Sequence, residues 1–83
     1  MYSEPVAEHL KELGEKIGHH LELTFSSFGN AGTGKLCTVV VKIHEAREFS
    51  GQGHGEDPDQ ARIAAIDIAV AKYTNLASME KVS

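Results

Sequence analysis

The first helix can be predicted from the spacing of apolar residues near the N-terminus. They recur at intervals of four, three and four residues, at Val6, Leu10, Leu13 and Ile17. This spacing places them along one face of an amphipathic helix. Ser3 is positioned to cap that helix, and Gly18 is positioned to end it. We therefore predict a helix from Pro5 to Ile17.

After the first helix, the apolar pattern changes to a period of two residues. Leu21, Leu23 and Phe25 alternate with polar neighbours, which predicts a strand with one buried face. The following stretch, Gly29 to Gly34, has three glycines in six residues. Such a composition is typical of a loop.

Two more strands are predicted beyond this loop. The run from Leu36 to Ile43 is rich in β-branched residues, and one of its faces consists of Cys37, Val39, Val41 and Ile43. A turn at residues 44 to 46 leads to a short third strand, Arg47 to Ser50, with Phe49 pointing inward. Together the strands form a three-stranded antiparallel meander.

The last predicted element is a helix with a well-marked beginning. The stretch from Gly51 to Gly55 is interpreted as a loop that leads into it. Its start is marked by a capping residue, a proline at the first helical position and a capping-box glutamine, which are Asp57, Pro58 and Gln60. The helix is predicted to end near Tyr73, and residues 75 to 83 are predicted to form a fraying tail.

The order helix, three strands, helix predicts an α+β fold with both helices on one face of the sheet. A length of 83 residues with 41% hydrophobic content suits a single domain over residues 1–83, with its core at about 4–74. The net charge of −4 argues against a generic nucleic-acid binder. A single cysteine, Cys37, and the lack of a signal or membrane segment predict a cytoplasmic protein.

No motif indicates catalysis. The stretch Gly29 to Lys35 matches the G-x-x-x-x-G-K core of a phosphate-binding loop. However, Leu36 occupies the position of the magnesium-binding Ser or Thr, and a strand is predicted to follow where such a loop needs a helix. Nucleotide binding is therefore a distant alternative. The five histidines show no metal-ligand spacing, so we predict no enzyme activity, no metal and no cofactor.

The stretch Gly53 to Arg62 aligns without gaps on G-x-G-x-S-K-K-x-A-K, the signature of the double-stranded RNA-binding domain. Alanines further along the helix continue in phase with that family, and the chain resembles it over about residues 4 to 74. The family binds RNA through its first helix, the loop between the first two strands, and lysines that begin the last helix.

The resemblance implies a set of RNA-contacting residues, with one departure from the family pattern. Asp57, Pro58 and Asp59 replace the serine and both lysines of the signature. The remaining candidates are Glu8, Glu12, Asn30, Thr33, Lys35, His54 and Arg62, with Lys72 as a further cation. Because phosphate contacts supply most of the sequence-independent affinity, we predict weak or absent RNA binding. A true RNA-binding protein is the alternative, and it predicts salt-sensitive binding.

The last helix carries more apolar residues than one core face requires. Ile63 and Ile68 occupy positions that are usually polar in the family that the chain resembles. We therefore predict association with a protein partner or with a second copy through Ile63, Ile66, Ile68 and Val70. Two alternatives are open at this point: Ile66 and Val70 as core residues, and Ile63 and Ile68 packed under the first helix or the tail.

Overall fold

Along the sequence, one helix precedes three consecutive strands and a second helix follows them, as predicted. The computed structural model describes residues 3–32, 34–43 and 47–82. Its elements are α1 (Glu4–Ile17), β1 (Leu21–Ala31), β2 (Gly34–Ile43), β3 (Arg47–Gly55) and α2 (Pro58–Val82). The strands form one antiparallel sheet in the order β1-β2-β3. The predicted α-β-β-β-α fold is confirmed.

The core lies between the helices and one face of the sheet. Strand β2 contributes the predicted alternating residues Cys37, Val39, Val41 and Ile43, all without solvent exposure. Helix α2 contributes Ala61, Ala65, Ile66, Ala69 and Val70, and helix α1 contributes Val6 and Leu10. The period of two in β2 therefore separates a face covered by helices from a face that we call the open face.

The glycine-rich stretch before α2 is a strand, and its prediction as a loop was wrong. Strand β3 continues to Gly55, and Gly51, Gly53 and Gly55 face α2. A Cβ atom on any of the three would lie within 3.0 Å of the backbone of α2. The helix meets this strand with the alanines Ala61, Ala65 and Ala69. Glycine is required here because the two backbones approach closely.

A β-bulge in β1 corrects the predicted inward position of Phe25. Leu23 pairs with Val41, but Phe25 pairs with Val40, so Thr24 is an extra residue in the ladder. One extra residue reverses the face on which every later side chain lies. Phe25 consequently lies on the open face with 53% of its surface exposed.

The predicted loop at Gly29 to Gly34 is mostly strand. Strand β1 extends to Ala31 and β2 begins at Gly34, so the ladder leaves only Gly32 and Thr33 between them. Gly32 has a φ of 63°, which favours glycine. Thr33 and the predicted turn at residues 44 to 46 lie outside the described residues.

The predicted capping is confirmed at the end of α1 and at the start of α2. Ser3 is the N-cap residue of α1, but its side chain makes no capping hydrogen bond and donates to Asp59 instead. The backbone N–H of Gln60 donates to Asp57 Oδ1 over 2.9 Å, and the N–H of Glu56 donates to Gln60 Oε1 over 3.2 Å. Gly18 ends α1 with a φ of 78°. Helix α2 continues to Val82, well beyond the predicted end near Tyr73, since no glycine or proline follows Pro58.

Within the part of the chain that the structure describes, no helix is both long and apolar enough to cross a membrane.

Candidate functional site

Arg62, the basic residue retained from the signature, lies over the sheet. Its guanidinium carbon is 4.8 Å from the centroid of the Phe28 ring, and its Nη2 donates to Ser26 Oγ over 3.5 Å. Ser26 and Phe28 come after the bulge in the sequence of β1, and the bulge directs their side chains to the helix-covered face. The Nε atom of Arg62 is buried and has no hydrogen-bond partner among the described residues. The guanidinium is thus held within the domain.

Arg62 also influences the neighbouring thiol of Cys37. Burial raises the pKa of Cys37 above its ordinary value of 9.0, and the charge and hydrogen bonding of Arg62 oppose this effect only in part. The thiol is therefore protonated at neutral pH. A protonated, fully buried thiol in the middle of β2 is a packing residue and a poor nucleophile.

The beginning of α2 carries two carboxylates, one in place of the serine of the signature and one in place of its second lysine. Asp57 accepts the capping hydrogen bond from Gln60, and Asp59 Oδ1 accepts a hydrogen bond from Ser3 Oγ over 2.8 Å. The second bond joins α2 to the start of α1. The acidic side chains stabilise this helix end through its dipole and would repel a phosphate there.

The other residues implied by the RNA resemblance are dispersed. Glu8 and Glu12 are exposed on α1. At the far end of the β1–β2 hairpin, Lys35 Nζ donates to Asn30 Oδ1 over 3.2 Å. His54 lies on the open face, because it pairs with Leu36, whose neighbour Cys37 faces the helices.

Two of the predicted RNA contacts do not lie on the exposed surface of α1. His54 lies on the side of the sheet away from the helices, and Arg62 is half-buried against Phe28. Thr33 is outside the described residues. Lys72 is exposed on α2.

The four residues of the predicted protein interface do not share a surface either. Ile66 and Val70 are buried in the core, while Ile63 is half-buried and packs against it. Helix α2 buries a wide arc because it contacts the sheet on one side and α1 on another. Ile68 is the member of the set that is exposed, at 42%.

The position of Ile63 follows from two polar contacts between the helices. Ser3 bonds to Asp59, and His9 Nε2 lies 2.6 Å from Asp67 Oδ1. Ile63 is four residues from each of these aspartates, which places it on the side of α2 that faces α1.

The exposed apolar residues of α2 form a stripe that differs from the predicted interface. It consists of Ile68, Leu76 and Met79, which lie within about 80° of one another on a helical wheel. We call it the α2 stripe. Its second half lies on the part of α2 that was predicted to be a tail.

The open face of the sheet presents a second exposed surface, which we had not predicted. Its centre combines Phe25, Leu36 and Val40 with Ser27, Thr38, Ser50 and Gln52. One end carries a cross-strand row of three charges, Glu22, Lys42 and Glu48, and the other end carries His54. The alternation in β2 already indicated this face, but the bulge that adds Phe25 to it has no local sequence signal.

Two further features of the described residues bear on a chemical site, namely possible metal ligands and a cleft. No group of three or more His, Cys, Asp or Glu side chains in the described ranges is arranged to hold a metal ion. A cleft of about 470 Å³ between the end of α1 and the start of β1 is lined mainly by small and apolar residues, with Lys11, Glu15, His19 and His20 among its lining.

Comparison with protein-family models, with curated proteins and with solved structures finds no match to this chain. The likeness to the double-stranded RNA-binding domain therefore depends on the order of the elements and on the stretch from Gly53 to Arg62.

Proposed function

We propose that this domain acts by associating with protein and has little or no affinity for duplex RNA. The observation that carries the proposal is the position of Arg62, which packs on Phe28 and bonds to Ser26. A guanidinium that packs on a ring and donates to a hydroxyl is less free to pair with a phosphate than an exposed lysine is. Both lysines of the signature are missing at residues 58 and 59, and the basic residue that remains is engaged within the domain.

The electrostatics of the domain favour the same proposal. Duplex RNA is bound mainly through neutralised phosphates. Here Asp57 and Asp59 begin α2, the exposed face of α1 carries Glu8 and Glu12, and the net charge is −4. A phosphate that approaches the start of α2, or the part of α1 that carries Glu8 and Glu12, meets negative charge.

Exposed apolar side chains favour association with protein. Phe25 on the open face and the three residues of the α2 stripe expose apolar side chains to water, with Met79 exposed to 68%. Apolar groups concentrated on two surfaces of so small a domain are typical of contact sites. We propose these surfaces in place of the predicted set that included Ile66 and Val70.

A titration of fluorescent duplex RNA of about 20 base pairs tests the proposal, because a domain of the related family spans about 16. Wild type is compared with the variant Pro58→Lys/Asp59→Lys, which restores the lysines of the signature. We expect no binding by wild type at low or moderate salt, and salt-sensitive binding by the variant. Circular dichroism checks that the variant is folded, since Asp59 bonds to Ser3.

Binding of wild type with a steep salt dependence would overturn the proposal. In that case Arg62→Glu and Lys35→Glu should abolish binding, as the RNA hypothesis requires. Failure of both wild type and the restored variant would leave the resemblance to the RNA-binding family without support.

A further inference from the structure

We propose that the open face is the contact surface of a homodimer, in which two copies pack their sheets face to face about a two-fold axis that runs across the strands. This inference rests on the proposed function, and it names the partner as a second copy of the chain. Three features of the open face carry it: an apolar centre, the distribution of charge, and the available area.

The centre of the open face is suited to contact with another sheet. Leu36, Thr38 and Val40 follow one another along the central strand, and Phe25 lies beside Val40 on β1. Thr38 and Val40 are β-branched and Phe25 is aromatic, which are residue types that favour sheets. Together with Leu36 they can pack between two sheets about 10 Å apart. The polar neighbours Ser27, Ser50 and Gln52 are uncharged, so the centre can be covered without the burial of an ion.

The charges decide between the two ways in which a two-fold axis can relate the faces. An axis along the strands would bring Lys42 opposite Lys42 and Glu22 opposite Glu48 of the second copy. An axis across the strands, between Thr38 and Val40, exchanges the two ends of each strand. Glu48 and His54 are each three residues from Gly51 on β3, and Gly51 pairs with Val39 at the level of that axis.

The axis across the strands therefore places Glu48 opposite His54 of the second copy, twice in each dimer. It also places Lys42 opposite Leu36, where the aliphatic part of the lysine can cover the leucine. A ring N–H of His54 can donate a hydrogen bond to the Glu48 carboxylate. Like charges opposite each other oppose association, so the axis along the strands is disfavoured and the axis across the strands is favoured.

The area of the face sets the expected strength of the dimer. Three strands of nine residues cover about 440 Å² in the plane of the sheet. This is about half of the 800 Å² or so that each partner of a standard interface buries. We therefore expect a weak, reversible dimer that forms at high protein concentration.

Sedimentation equilibrium from roughly 10 µM to 1 mM, a range suited to a weak dimer, tests the proposal. Phe25→Glu should abolish dimerisation, whereas Ile68→Glu on the α2 stripe should leave it unchanged. Both residues are exposed, so the variants should fold, and thermal melts check this. Dimerisation that is lost in Ile68→Glu but kept in Phe25→Glu would overturn the proposal and move the contact to α2.

A charge exchange tests the orientation. Glu48→Lys should weaken the dimer by roughly tenfold, and Glu48→Lys/His54→Glu should restore it. Glu22→Lys is the matched control, since Glu22 then faces Gly29 of the second copy and its replacement should have little effect. Tighter association of Glu48→Lys or Glu22→Lys would show an axis along the strands and overturn this arrangement.

The outcomes separate this inference from the proposed function. A chain that stays monomeric over the whole concentration range overturns the homodimer, whereas the proposed lack of affinity for duplex RNA is tested separately by the RNA titration. Tight RNA binding would overturn the proposed function even if the sheet faces dimerise.

Discussion

The guanidinium carbon of Arg62 lies 4.8 Å from the centroid of the Phe28 ring, so a helix and the far part of β1 are joined through a cation and an aromatic face. The contact depends on the bulge at Thr24, since Phe28 would otherwise point to the open face. It explains how a residue that matches a phosphate-binding position can have a structural role.

We predict that this contact stabilises the domain. Arg62→Ala should lower the free energy of unfolding by about 1 to 2 kcal/mol, through the lost ring contact and lost packing. Chemical denaturation measures the change, and a double-mutant cycle with Phe28→Ala should give a coupling of about 0.5 to 1 kcal/mol. Lys72→Ala, on an exposed part of the same helix, is the control and should have little effect.

The close packing of β3 on α2 should not tolerate even a methyl group. A Cβ on Gly53 would lie 2.7 Å from the Cβ of Ala64 and 2.4 Å from the backbone nitrogen of Ala65. Gly53→Ala should therefore cost about 3 kcal/mol or more, as overpacking moves the helix. Gly29→Ala is the matched control, because no atom lies within 4 Å of its added Cβ. Equal denaturation midpoints for the two variants would contradict this account of β3.

The link between α1 and α2 should be measurable through His9 and Asp67, whose side-chain atoms approach to 2.6 Å. Both side chains are partly exposed, so we expect a coupling energy of only about 0.3 to 1 kcal/mol. A double-mutant cycle of His9→Ala and Asp67→Ala measures it, and Glu8→Ala serves as a surface control. Strictly additive effects would show that the pair contributes nothing to docking of the helices.

The thiol of Cys37 should make stability depend on alkaline pH. Its pKa is raised by burial in the folded state, so above pH 9.0, its ordinary value, the unfolded chain releases a proton that the folded chain keeps. Stability from this group is complete below that pH and is lost as the pH rises toward the folded-state pKa. Thermal melts from pH 8 to 10 should show a smaller alkaline decrease for Cys37→Ala than for wild type.

Much of the fold could be predicted from local patterns, because α1, β2 and the capped start of α2 each have their own signal. The capping box of Asp57 and Gln60 is local, and so is the alternation from Cys37 to Ile43. The bulge at Thr24 could not be predicted, since it depends on how β1 pairs with a strand far along the chain.

The glycines of β3 show a second reason why local sequence patterns fail to predict the fold. Local rules predict a loop at Gly51 to Gly55 because glycine favours turns. The glycines recur at every second residue of a strand, and Ala61, Ala65 and Ala69 recur at every fourth residue of a helix. Together the two patterns indicate a row of small residues on each element, and therefore a helix packed tightly on a strand. The same packing explains why the surface residues were hard to predict: α2 buries Ile66 and Val70 against neighbours that no local pattern specifies.

The central claim is that protein association, and not duplex RNA, engages the surfaces of this domain. Amide chemical-shift mapping tests it most directly, in a dilution series and in a titration with duplex RNA. We predict concentration-dependent shifts on the open face around Phe25 and Val40, and no RNA-dependent shifts at α1, at the end of the β1–β2 hairpin or at the start of α2. RNA-dependent shifts at those three places, with none on dilution, would contradict the account.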